Sequence, residues 1–171
     1  MRVFMNVALN YAAWLAVALL AAQGEYGLAV VPSLVALVIH LGVMPAEKRR
    51  PELMLAAAAI PLGLGVETIT MAVGATQYAE GATVGGLPPA FMIGLWAAFA
   101  TLINVSLAWM KDRLWLAVLF GALASGPSYY AGSKIGALSL GEPVWQSLVT
   151  IGAVWAVAFP LLILMARRID R

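Results

Sequence analysis

Cysteine is absent from this 171-residue chain, which excludes disulfides, thiolate metal centres and thiol nucleophiles. Histidine occurs once, as His40, so a multi-histidine metal site is excluded as well. Charge is scarce: Asp, Glu, Lys and Arg together make up 11% of the residues, against about a quarter in soluble domains. The few basic residues form no face interleaved with aromatics, so nucleic-acid binding has no support. "GLGVET" lacks the Lys-Ser/Thr tail of a phosphate-binding loop and follows no strand. Nothing in the chain asks for a cofactor or a metal ion.

What fills the chain instead is hydrocarbon. Hydrophobic residues reach 63% and the mean hydropathy is +0.93, the composition of a chain whose solvent is lipid. Six runs nearly free of charge, at 3–22, 27–44, 53–75, 89–110, 114–136 and 144–166, each predict a transmembrane helix of about 18 residues or more. The length suits one domain over 1–171. The expected fold is all-α: a polytopic membrane protein built as a six-transmembrane-helix bundle. The longest connection, "TQYAEGATVGGLPP" at 76–89, is rich in glycine and predicts a small flap folded over the bundle.

Orientation follows from the basic residues. With the N terminus inside, Arg2, Lys48, Arg49, Arg50, Lys111, Arg113, Arg167, Arg168 and Arg171 all fall on the inner face. Glu25, Glu80 and Glu142 fall outside, and Lys134 is the single basic exception. Six crossings with cytoplasmic N and C termini give this asymmetry. The start of the chain also has the charge, apolar run and small residues of a signal peptide. Asn6, Asn10, Tyr11 and Trp14 are unusual for one, and the expectation is a retained first helix.

Polar groups at depth need a reason, because lipid gives them no partner. Glu67 sits in the outer half of the third run, and Thr70 lies one turn on along the same face. Lys134 lies toward the outer side of the fifth run, roughly 7–8 Å from Glu67 in depth. An ion pair between them is one reading. In another, Lys134 reaches the outer headgroups while Glu67 is protonated or bonded to Thr70, and in a third Glu67 meets only Tyr or Ser hydroxyls. In the fifth run Gly121, Ser125, Tyr129 and Ser133 recur every four residues, with Gly126, Gly132 and Gly136 beside them. Such a stripe suits close helix packing with hydroxyls bonding across the contact, and Pro127 adds a kink. It also suits a polar cavity lined by Glu67, Thr70, Ser125, Tyr129, Tyr130, Ser133 and Lys134. A second group, Asn6, Asn10, His40 and Asn104 with Ser106, shares a depth in the inner half and predicts an inter-helix hydrogen-bond network. "PAEKRRPE" at 45–52 is expected to fix topology. No serine, histidine and acid converge as a hydrolase would require.

The order "LWAAFATLINVSLAWM" then "GALASGPSYYAGSKIGA" resembles a bacterial inner-membrane family, the domain of unknown function 2878. The likeness spans nearly the whole chain and is most specific at residues 94–137. Its carriers are Trp96, Phe99, Ala100, Gly126, Pro127, Tyr130, Ala131, Gly132, Gly136 and Ala137, and His40 and Glu67 also fit. The resemblance implies the bacterial inner (cytoplasmic) membrane and a lipid-linked role, its relatives accompanying enzymes of membrane fatty-acid modification. It implies no activity. The leading functional expectation is a polar intramembrane pocket that binds or transports a small or lipid-like molecule. Alternatives are a non-catalytic membrane partner of a lipid-modifying enzyme, and a membrane-embedded enzyme with Glu67 as acid or base. Expected partners are membrane lipids and a membrane protein; oligomeric state is left open.

Overall fold

Apolar runs in lipid must satisfy every amide internally, and the helix does so within one segment. In the computed structural model, which describes residues 2–170, six α-helices form: α1 Arg2–Ala22, α2 Val31–Val43, α3 Ala46–Ala72, α4 Ala90–Ala100, α5 Leu114–Ile135 and α6 Val144–Ile169. Proline opens three of them, as Pro45, Pro89 and Pro143 occupy the N-caps of α3, α4 and α6, where its missing amide costs nothing. Gly136 closes α5 with φ 96, a left-handed conformation that favours glycine. Four helices (α1, α3, α5 and α6) are long and apolar enough to cross a membrane, while Leu28–Val43 and Ala90–Ala100 are shorter. Exposed apolar side chains such as Val38, Leu123, Val149 and Val157 stud their outer faces. This is a membrane-type helical protein.

One expected element is corrected. The run 89–110 does not form a single helix; α4 stops at Ala100 and residues 101–107 form successive turns. Amides of Thr101, Leu102 and Ile103 bond three residues back, and the amide of Leu107 bonds the carbonyl of Leu102. Polar groups meet at Thr101, its own hydroxyl and two asparagines of α1. Thr101 Oγ1 donates to the Ala98 carbonyl at 2.7 Å, and such side chains compete with the helical ladder. α3 in turn starts earlier than expected, because the charged segment from Ala46 is already helical.

α3 lies at the centre, packed against α4 and α6; α5 pairs with α6, and α1 with α2 and α4. The α5–α6 contact is backbone-close. A Cβ on Gly121 would meet the Trp155 carbonyl at 2.3 Å, and one on Gly152 would meet the Ala122 carbonyl at 2.7 Å. Of the hydroxyls in the stripe, Tyr129 bonds across to Trp155 of α6 as expected, while Ser125 and Ser133 bond the Gly121 and Tyr130 carbonyls of their own helix.

At one end of the bundle two loops are tied together. Strand β1 (Thr76–Gln77) pairs antiparallel with β2 (Ser139–Leu140), with Thr76 opposite Leu140 and Gln77 opposite Ser139. At the other end Lys111 pairs with Asp170 and Ser106 bonds the Val3 carbonyl, so the start of α1 and the end of α6 both reach the connection between α4 and α5.

Candidate functional site

Glu67, three-quarters of the way along α3, is 0% exposed. Three donors from three other segments converge on it. Tyr129 of α5 donates to Oε1 at 2.5 Å and the Trp96 indole of α4 to the same oxygen at 3.0 Å. Tyr78, in the loop after β1, donates to Oε2 at 3.0 Å. Trp155 of α6 donates in turn to the Tyr129 hydroxyl at 3.3 Å, and its ring stacks on Trp96 with centroids 4.4 Å apart. Gly63 makes this possible: a Cβ there would stand 2.4 Å from the Trp96 ring. Thr70, one turn along, donates to the Glu67 carbonyl and accepts from Thr76, which fastens the loop to the helix.

Among the described residues no cation reaches this carboxylate; Lys111 pairs with Asp170, and His40 meets Glu52. The reading that pairs Glu67 with Lys134 is therefore corrected. Lys134 is exposed and holds its ammonium 5.0 Å from the centre of the Tyr130 ring, because reaching the surface removes its desolvation cost. Of the expected cavity residues, Glu67, Thr70 and Tyr129 come together. Ser125 is buried but bonded to its own helix, and Tyr130 and Ser133 lie away from the carboxylate with Lys134.

The loop over residues 73–89 closes the site. Tyr78 packs edge-on against Phe91, which stacks on Tyr26, and Gly85 and Gly86, with φ of 60 and 76, turn the chain back. Burial pushes the Tyr78 phenol well above the ordinary tyrosine value. It keeps its proton rather than standing as a phenolate. A cleft of about 40 Å³ borders the far side of Tyr129, lined by Trp14, Phe91, Leu95, Gly132 and Leu138 among others. A second, open hollow of about 650 Å³ lies between α5 and α6.

The second polar group gathers at the other end of α3. His40 and Glu52 are 3% and 2% exposed, and His40 Nε2 meets Glu52 Oε2 at 3.2 Å. Asn6 Nδ2 contacts His40 Nδ1 at 3.3 Å and donates to the Thr101 carbonyl at 3.2 Å. Ser106 donates to Asn6 Oδ1 at 2.6 Å, and Asn10 donates to Thr101 Oγ1 at 3.1 Å. The Thr101 carbonyl can only accept, so the Asn6 amide nitrogen must face it. That nitrogen then also faces His40 Nδ1, which must accept, leaving the imidazole proton on Nε2 and aimed at Glu52. This network holds the unwound end of α4. Asn104 takes no part; its buried Oδ1 has no partner.

Sequence reasoning did not foresee Trp96, Tyr78, Trp155, Glu52 or Thr101. Glu52 was assigned to a topology segment, yet it stands twelve residues after His40 across one tight turn, a spacing that folds the two face to face. Among the described residues no three His, Asp or Glu side chains gather to hold a metal.

The pattern of one protein family, described as Protein of unknown function (DUF2878), matches residues 3–161. No curated protein and no solved structure matches the chain.

Proposed function

The chain belongs to the DUF2878 family, and from its geometry we propose that it binds, and moves between faces, a small membrane-soluble molecule at Glu67. The observation that carries this reading is a wholly buried carboxylate, held by donors from α4, α5 and a loop that closes over it. A merely structural helix contact needs none of this convergence, and intramembrane ionisable residues are a functional signature. Six crossings of a bacterial inner membrane, with both termini cytoplasmic, fit the pattern of charge. Arg2, Lys48, Arg49, Arg50, Lys111, Arg113, Arg167 and Arg168 belong to the end where α1 starts and α6 ends, which basic residues mark as cytoplasmic. The loop that carries Tyr78 then faces outward.

Mass spectrometry of small molecules co-purifying with wild type and with Glu67→Gln tests the reading. A species present with wild type and lost from the variant is expected. Identical profiles would refute the assignment. Cysteine labelling of both ends from outside intact cells tests the orientation, and accessible termini would overturn it.

A second reading rests on the hollow between α5 and α6, whose walls include Ala122, Gly126, Pro127, Gly152 and Ala153. Small residues let another helix approach, as a membrane partner that modifies lipids would. Gly126→Trp fills that hollow and should displace the partner captured by a photocrosslinker at Leu123. Unchanged crosslinking would refute it.

A further inference from the structure

We propose that the molecule taken at Glu67 is a lipophilic cation, an amine or onium ion, admitted in exchange for a proton; the inference rests on the Glu67 reading above. Charge comes first. A carboxylate in a low-dielectric interior must be neutralised by a proton or by a cation. The protein supplies no cation: Lys134 is turned to the surface over Tyr130, and the neighbours of Glu67 are uncharged donors. The place of a counter-ion is thus left for a ligand.

The walls specify the kind of cation. Trp96 and Trp155 stack on one another with Tyr129 edge-on to Trp155, and Trp96 and Tyr129 turn their N–H and O–H to the acid. A carboxylate set among aromatic rings suits ammonium and onium groups, whose diffuse charge is weakly hydrated and sheds water readily. An anion would be repelled, and a neutral lipid would leave the charge unanswered. Entry begins when Tyr78 swings out with its loop, the one partner of Glu67 that no helix carries. The cleft beside Tyr129 then accepts the start of an apolar substituent.

The balance is simple. In the closed state the acid keeps its proton, which points to the Tyr78 hydroxyl, a group that can accept as well as donate; the cation then binds the carboxylate, and that one proton leaves. Titratable groups facing Glu67 are Tyr129 from α5 and Tyr78 from the loop, while α4 and α6 present only the indoles of Trp96 and Trp155. Neither phenol exchanges a proton near neutral pH, so the proton released belongs to Glu67.

The test uses the full chain in detergent with tetraphenylphosphonium and benzyltrimethylammonium as probes. Triphenylphosphine oxide serves as a neutral analogue and tetraphenylborate as an anionic one. Binding is followed by indole fluorescence, and protons by an indicator in weak buffer. At least one cation should bind with release of about one proton, and its affinity should rise about tenfold per pH unit while the acid is protonated. Glu67→Gln should abolish both signals. Trp155→Leu, which reaches the acid only through Tyr129 and Trp96, should weaken cation binding roughly tenfold or more. Should the neutral oxide bind as tightly as the cations and be lost in Glu67→Gln, the cation class falls while the Glu67 site stands. Equal cation binding by wild type and Glu67→Gln would overturn both. Binding of neither cation at millimolar concentration, or binding without proton release, overturns the exchange even if the variant fails to fold.

Discussion

Gly63 and Gly65 are two residues apart on α3, and they should respond oppositely to the same added methyl group. A Cβ at Gly63 would sit 2.4, 2.6 and 2.8 Å from Cγ, Cδ1 and Cδ2 of Trp96, whereas one at Gly65 meets nothing within 4 Å. Ordinary contact begins at 3.4 Å, so the indole must retreat by roughly 1 Å. It has no room to do so. Trp155 stacks behind it at 4.4 Å, and Trp96 itself is 2% exposed. Overpacking of this kind costs about 1–3 kcal/mol. Displacement also stretches the 3.0 Å bond to Glu67, a hydrogen bond worth about 0.5–1.5 kcal/mol to the neutral acid. The alanine gains about 1 kcal/mol of helix propensity in return. Gly63→Ala should therefore lose about 0.5–3.5 kcal/mol, while Gly65→Ala should be neutral or gain about 0.5–1 kcal/mol. Denaturation of the purified protein in mixed micelles measures the difference, and near-UV circular dichroism reports the Trp96–Trp155 stack. If Gly63→Ala unfolded with Gly65→Ala and kept the wild-type aromatic spectrum, the packing argument would be wrong.

Three more expectations follow from the same geometry. His40→Leu leaves Glu52 buried without its donor and should cost about 1–3 kcal/mol; a double-mutant cycle with Glu52→Leu should recover a large part, and strict additivity would disprove the contact. Lys134→Ala should change stability by no more than about 0.5 kcal/mol, since its side chain is exposed; a loss of several kcal/mol would restore the ion pair with Glu67. Tyr78→Phe removes one bond to Glu67 and should speed protease cleavage within 79–87 by roughly five- to tenfold, consistent with about 1–1.5 kcal/mol for the lost bond. An unchanged cleavage rate would show that the hydroxyl does not hold the loop.

The helices were largely legible in the sequence because hydrocarbon and the missing charge speak along the chain itself. The break in α4 was not, since Thr101 disturbs its helix only in company with Asn6 and Asn10, ninety or more residues away. Glu67 stood out as an acid in an apolar run, and the four-residue period of α5 singled out Tyr129. Trp96 carried the family resemblance without a site role, and Trp155 read as an ordinary apolar residue, because an indole N–H gains a task only when an acceptor faces it. Glu52 was hidden for the opposite reason: surrounded by charges in the sequence, it resembled one more surface group. Lys134 shows that shared depth does not make a pair when one side chain is long enough to reach water.

The clasp between β1 and β2 gives the closing loop a mechanical companion. Four residues of pairing tie the segment before Tyr78 to the α5–α6 turn, so lifting one hairpin tugs the other. Tyr129 lies on the helix that ends at that turn. A single hinged motion would thus loosen two of the three grips on Glu67 at once, leaving Trp96 alone, and opening would behave as one cooperative latch rather than two independent ones.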